Sequence, residues 1–116
     1  LEFRRVLFRS DQGVIASAQQ PPYYAVIFTA QRTQIDDGYG AMVELMRNLA
    51  EQQRGYLGFE SAGDDFEITV SYWTDTDAIA AWKRNVDHAA AQARGRADWY
   101  SAYRVRICKV EREYGM

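Results

Sequence analysis

His88 is the only histidine in the 116-residue chain, and it is the side chain best suited to acid–base work near neutral pH. An imidazole with an unperturbed pKa of about 6.5 can take the proton of an acidic phenol. The favoured competing reading is plainer: a helix-end residue hydrogen-bonded to backbone or to its neighbour Asp87. Trp82 stands six residues before His88 and Gln92 four residues after it. Four residues is close to one helical turn, so His88 and Gln92 share roughly one face. Trp82 belongs to an apolar stripe, which favours core over ligand wall, although one edge of the indole could serve both.

The remaining candidates are polar or aromatic residues near strand ends. Thr29 and Gln31 are the nearest polar side chains on the first strand, with a satisfied polar rim as the favoured reading. Arg32 could hold an oxyanion or carboxylate, or simply pair with Asp36 or Asp37. Tyr72 carries a hydroxyl that needs a partner if buried. Trp99 and Tyr100 could close the mouth of a pocket, or anchor an interface. Trp73, opposite in pleat to Phe66, Ile68, Val70 and Tyr72, is expected at a dimer face. Aromatic residues make up 14% of the chain, enough to fill a core or to line a pocket for a flat ligand.

Much other chemistry is excluded. A lone cysteine, Cys108, rules out an internal disulfide and a cysteine-based zinc site, and points to a reducing, cytoplasmic compartment. The sequence has no Gly-rich phosphate loop, dinucleotide fingerprint, histidine pair for a metal or Ser-His-Asp set. Fourteen basic residues against sixteen acidic ones, net −2, give no general attraction to nucleic acid or an anionic membrane. No apolar run approaches the roughly 18 residues of a membrane span.

These residues need elements to position them. Residues 1–20 match the rest poorly: LEFRRVLFRS reads like a translated sequencing adapter, and the apolar patch is too interrupted by Arg9, Asp11 and Gln12 for a signal peptide. They are set aside as a non-native or disordered leader, leaving residues 21–116 as the domain. Without residues 1–10 there remain eleven basic and fifteen acidic side chains, net −4.

After Pro21-Pro22, residues 23–32 (YYAVIFTAQR) read as a strand with both faces apolar. Asp36-Asp37-Gly38 is a turn whose acidic pair suits the start of a helix. That helix runs from Tyr39 to about Gln53, with Met42, Leu45, Met46 and Leu49 as its stripe, and Arg54-Gly55 ends it. Strands at 56–62 and 66–73 form a hairpin across Gly63-Asp64-Asp65. Thr74 with Asp77 resembles a capping box for a helix through Gly95. A last strand is expected over 102–113 (AYRVRICKVERE), with Arg104, Arg106, Lys109 and Arg112 as a charged edge. The order βαββαβ with right-handed crossovers predicts an α+β, ferredoxin-like fold with one four-stranded antiparallel sheet. Apolar groups on both faces of the sheet predict a homodimer that covers the face opposite the helices.

The segments PPYYAVIFTAQR, GYGAMVELM, QQRGYLGFESA, ITVSYW, AIAAWKRNVDH, GRADWYSAYRVR and KVEREYG together resemble the antibiotic biosynthesis monooxygenase family. The resemblance spans Pro21 to Met116. It implies a dimeric α/β barrel, two sheets packed face to face, with a pocket in each subunit between sheet and helices. Some relatives oxidise anthrone-like polycyclic phenols with dioxygen and no cofactor; others bind haem and cleave it. In the haem-degrading relatives a helix tryptophan is followed ten residues later by the histidine that ligates iron. Trp82 matches that tryptophan, but Gln92 stands at the ligand position, which disfavours haem because glutamine is a poor iron ligand. The resemblance therefore implies a cofactor-independent monooxygenase acting on an aromatic or quinol-like molecule. His88 is then the candidate base, and Trp82, Gln92, Thr29, Gln31, Tyr72 and Trp99 are candidate substrate contacts. The alternative is a non-catalytic dimer that binds such a molecule.

Overall fold

The computed structural model describes residues 15–93 and 99–116, with backbone alone for 90–93. It contains strand β1 (Tyr23–Arg32), helix α1 (Tyr39–Glu51), strands β2 (Tyr56–Gly63) and β3 (Phe66–Trp73), helix α2 (Thr76–Ala93) and strand β4 (Tyr100–Val110). The sheet is antiparallel in the order β2-β3-β1-β4. This is the expected ferredoxin-like βαββαβ fold. β1 lies between β3 and β4, which explains why it is apolar on both faces: it has neighbours on either edge and side chains packed above and below.

The pleat of β1 sorts the sheet into two sides. Tyr24, Val26, Phe28, Ala30 and Arg32 face the helices; Tyr23, Ala25, Ile27, Thr29 and Gln31 face away. Register carries the division across the sheet. Val26 lies opposite Ser71 on β3 and Ile107 on β4, and Phe28 opposite Thr69 and Val105. The helix-side core consists of Val26, Ala50, Trp73, Ala78 and Ile79, with Tyr24, Tyr56 and Trp82 packed against it.

Trp73 corrects one expectation. It is fully buried on the helix side, 5.1 Å from Trp82 and 5.5 Å from Tyr56 between ring centroids, not at an outward face. The small residues Ala50 and Ala78 of the two helices make room for the indole, and its Nε1–H donates to Ser71 Oγ at 2.9 Å. Phe66, Ile68, Val70 and Tyr72 accordingly take the opposite, open side.

The helix starts are also corrected. Asp75, not Thr74, caps α2: its carboxylate accepts the Ala78 N–H at 2.8 Å, while the Thr74 hydroxyl donates to Asp75. The shorter reach of aspartate to the N–H three residues on decides this. α1 has no side-chain cap and no acid in its first turn; Gly38 sits before it at φ 76°. Asp36 is drawn instead to Arg32, 2.8 Å away. β4 begins at Tyr100, two residues earlier than expected, because a register shift at Gln31/Arg32 pairs Arg32 with Tyr100. It ends at Val110, short of the expected Glu113, whose carboxylate accepts the Tyr23 hydroxyl and the Gln19 backbone N–H.

Gly55 shows why the turn before β2 needs glycine. It has φ 89°, and a Cβ there would lie 2.5 Å from Thr74 Oγ1 and 2.9 Å from the Ala78 methyl. The site therefore requires both the left-handed backbone and the missing side chain. That close approach brings the end of α1 against the start of α2, and the Thr74 N–H donates to the Gly55 carbonyl at 2.8 Å.

Candidate functional site

The helix side of the sheet changes character along β1. Toward Tyr24 it is the closed core around Trp73. Toward Ala30 and Arg32 it becomes a cluster of rings carrying hydroxyls. Phe28 on β1 lies 5.5 Å from Tyr100 and 5.6 Å from Tyr103 of β4, and those two tyrosines are 5.8 Å apart. Tyr39, the first residue of α1, stands edge-on to Tyr100 at 5.8 Å and to Trp99 at 5.7 Å. Farther along the same face of β4, Val105 and Ile107 follow, and Tyr103, Val105 and Ile107 each keep about half of their surface exposed (48%, 49% and 54%). The described residues thus leave an apolar strip of β4 beside the ring cluster only partly covered.

Polar groups brace this cluster from behind. The Arg32 guanidinium stacks on the Tyr39 ring at 3.3 Å from its centroid. It also donates to the carbonyls of Trp99 (3.2 Å) and Ile35 (3.3 Å) and to Asp36. The Tyr39 hydroxyl donates to Glu67 on β3, and the Tyr100 hydroxyl donates to Tyr39 at 3.3 Å. Burial, then the bond to Glu67, pushes the Tyr39 phenol far above the ordinary tyrosine range. The phenol is therefore neutral at any physiological pH.

The expected site residues fall in several places. Trp99 is 5% exposed. Its Nε1–H donates to the Asp37 carbonyl at 2.8 Å, and its own carbonyl takes the Thr33 N–H. It fastens the 33–38 loop within its own chain. Trp82 is a core neighbour of Trp73 and donates to the Met46 carbonyl at 3.3 Å. His88 lies two residues past buried Val86 on α2 and is exposed. The side chain of Gln92 lies outside the described residues.

Thr29, Gln31 and Tyr72 lie on the open side, across the sheet from Trp82 and Trp99, so the seven candidates do not converge on one place. Tyr72 finds its hydroxyl partner in Glu60 at 2.7 Å and packs edge-on against Tyr23 at 5.9 Å. Tyr23 in turn donates to Glu113 at 2.5 Å. The bond to Glu113, then burial, pushes the Tyr23 phenol up to about 12; burial and Glu60 raise that of Tyr72. The same two glutamates accept the backbone N–H groups of Ala16 (2.9 Å) and Gln19 (3.2 Å). Residues 15–20 are thereby tied to this end of the sheet; residues 1–14 lie outside the described residues.

Phe28, Tyr39, Glu67 and Tyr103 were not singled out by sequence reasoning. Phe28 and Tyr103 were findable in principle, since alternation along β1 and β4 puts both on one side once the strands are paired. Tyr39 and Glu67 come together only through the tertiary fold. Among the described residues no group of three His, Cys, Asp or Glu could hold a metal ion, and no helix is long and apolar enough to cross a membrane.

Comparisons with known proteins agree with this architecture. No protein-family model matches the chain. The uncharacterised protein YqjZ of Bacillus subtilis (strain 168) is 46% identical over 101 residues, covering 85% of this chain and 89% of YqjZ. Among solved structures, NE2512, of unknown function, from Nitrosomonas europaea matches with a TM-score of 0.57 at 17% identity, covering 82% of this chain and 93% of NE2512. PA3566 from Pseudomonas aeruginosa matches at 0.54 and 17%, covering 84% of this chain and all of PA3566 (100%). A "putative antibiotic biosynthesis monooxygenase" from Chloroflexus aurantiacus J-10-fl matches at 0.55 and 18%, covering 81% of this chain and 96% of that one. At those identities the structures speak for the fold alone. The sequence match goes further, and the chain belongs to the family of Bacillus subtilis YqjZ.

Proposed function

We propose that this protein is a homodimeric, cofactor-independent oxygenase of an aromatic or quinol-like small molecule, bound on the helix side of the sheet. The observation that carries the reading is the partly covered strip of Tyr103, Val105 and Ile107 beside the Phe28–Tyr100–Tyr103 rings. A flat apolar ligand laid there gains ring contacts and removes exposed apolar surface from water. The structural likeness to the Chloroflexus protein supports the reaction class by analogy.

The chemistry needs a base and dioxygen. Loss of a proton from a methylene flanked by aromatic rings leaves a carbanion that passes an electron to dioxygen. The overall balance converts the CH₂ group and O₂ into a ketone and water. His88 is the imidazole the chain offers for the proton. Haem does not suit the donor set: glutamine is a weak iron ligand, and His88 sits a turn earlier on α2 and is exposed. The dimer would form through the open side, where Phe66 and Ile68 are 58% and 40% exposed.

Oxygen uptake with anthrone under air tests the reading. Consumption of dioxygen in step with ketone formation, without added metal or haemin, is the expected result. Thermal stabilisation by anthrone with no uptake would overturn the oxygenase reading and leave a binding protein; the absence of both effects would overturn the whole proposal. Light scattering at micromolar concentration should report a dimer; a monodisperse monomer would refute that part.

A further inference from the structure

Strand β4 carries charge of one sign. Its sequence, YSAYRVRICKV, includes Arg104, Arg106 and Lys109 and no acid, although acidic side chains outnumber basic ones in the domain as a whole. Alternation separates these cations. Arg104 and Arg106 lie opposite Thr29 and Ile27 on the open side, whereas Lys109 lies opposite Tyr24 on the helix side. Directly opposed residues of an antiparallel pair share a face. Lys109 therefore ends the row of Tyr103, Val105 and Ile107, the partly covered apolar strip. The two ends of that row differ. At the ring end the cation is Arg32, which is engaged by Trp99, Ile35 and Asp36. At the far end, neither the Lys109 ammonium nor the Tyr24 hydroxyl has a hydrogen-bond or ion-pair partner among the described residues. Lys109 is exposed, while Tyr24 is half-buried with its ring packed on the core around Trp73. Two other cations of the helices are already paired, Lys83 with Asp87 at 2.7 Å and Arg54 with Asp75 at 3.1 Å.

We infer that the Tyr24–Lys109 end of the strip binds the carboxylate of an elongated ligand whose aromatic body lies at the Phe28–Tyr103 end. The inference rests on the reading of the strip as the ligand site and adds a charged group to the ligand it takes. An ammonium and a phenol hydroxyl on opposed residues form a donor pair, and a carboxylate is the acceptor that answers both. Phe28 and Tyr24 stand four residues apart on β1, about 13 Å of strand, and the long lysine side chain shortens that span. An aromatic acid with a short aliphatic tether fits it. The rings rest on Phe28 and Tyr103, the methylenes cross Val105 and Ile107, and the anion meets Lys109. An apolar strip alone accepts a flat molecule in either direction; a charge at one end fixes which end of the ligand reaches the ring cluster. Lys109 acts here as a specificity residue, distant from the rings.

The test compares 1-pyrenebutanoic acid with 1-pyrenebutanol, which share rings and tether and differ in the charged end. Binding is read from pyrene fluorescence with the full chain at neutral pH and low salt. The acid should bind about five-fold more tightly, the scale of an exposed ion pair, and salt at about 0.5 M should shrink the preference. Lys109→Gln should bring the two probes within about two-fold of each other without weakening the alcohol. Lys109→Arg, which keeps the charge, should keep the preference. Arg106→Gln, on the open side of the same strand, should leave it unchanged. Lys109 is exposed, so its replacement leaves the core intact.

Equal binding of the two probes to the unaltered protein, or a preference that survives Lys109→Gln, overturns the inference while leaving the strip as the ligand site. A preference lost equally in Arg106→Gln and Lys109→Gln also overturns it, since the attraction would then be the general charge of β4. No binding of either probe overturns both the inference and the site. A preference for the acid that depends on Lys109, without oxygen uptake from anthrone, sustains the inference and removes only the oxygenase reading.

Discussion

Two aromatic clusters share the helix side of one sheet, about half the length of β1 apart. Both are built from rings 5–6 Å apart. Around Trp73 both indole N–H groups are spent, on Ser71 Oγ and on the Met46 carbonyl, and the rings meet methyl groups and one another. Around Tyr39 they meet hydroxyls, a carboxylate and a guanidinium, and the neighbouring strip of β4 stays half exposed. Ring packing alone therefore does not separate the core from the candidate site. The contacts to hydroxyl and carboxylate groups and the unfinished burial do.

The sharpest way to break the comparison is to treat both clusters alike. Trp73→Ala removes the one side chain of the core with no exposed surface and leaves a cavity between β3 and α2. It should cost about 4 kcal/mol of stability, read as a lower urea midpoint or loss of the folded state. Equal costs from Trp73→Ala and Tyr103→Ala would erase the distinction.

A second prediction tests the Tyr39 cluster by pH. A phenol whose folded pKa lies above its unfolded value of about 10 contributes stability that is complete below that value. The contribution is lost as the pH rises through and beyond it, since the unfolded chain gives up a proton that the folded chain keeps. Tyr39 is raised in this way, and so are Tyr23, Tyr56 and Tyr72. Stability should therefore fall above about pH 10. Tyr39→Phe should cost about 1 kcal/mol at neutral pH, because Glu67 loses its donor and Tyr100 its acceptor. It should also make the alkaline fall shallower without abolishing it. Urea midpoints measured on either side of the tyrosine range would check both; an unchanged alkaline slope would show that the Tyr39 proton is not held by the fold.

The order of elements was legible because its signals are local. Pro21-Pro22 opens β1, Gly55 closes the turn after α1, and alternation marks β3. Side assignment was less so. The alternation of Phe66 to Trp73 is plain, but it does not say which row faces the helices. That was settled by Ala50 and Ala78, small residues on two different helices that meet over one indole. The capping residue was missed by one position for a similar reason, since Thr74 and Asp75 both fit a cap and only the geometry at Ala78 chooses. At the candidate site, aromatic content points to a ligand surface, whereas Glu67 and Tyr100 lie 28 and 61 residues in sequence from Tyr39. Nothing local couples them. His88 drew attention as the one imidazole, a signal of residue type without position.

The smallest effect on stability is expected where the largest effect on binding should fall. Tyr103 is 48% exposed and packs its ring against Phe28 and Tyr100. Truncation to Ser removes half-exposed surface, opens no closed cavity and should change stability by about 0.5 kcal/mol or less. It lies on the helix side, so the proposed face-to-face dimer should survive by light scattering, whereas Ile68→Asp on the open side should dissociate it. Affinity for 1-naphthol should nonetheless fall about ten-fold in Tyr103→Ser, one lost aromatic contact with its share of apolar area. 1-Methoxynaphthalene should lose the same factor, because the contact removed is ring surface. A loss confined to naphthol would show that the Tyr103 hydroxyl, and not its ring surface, makes the contact.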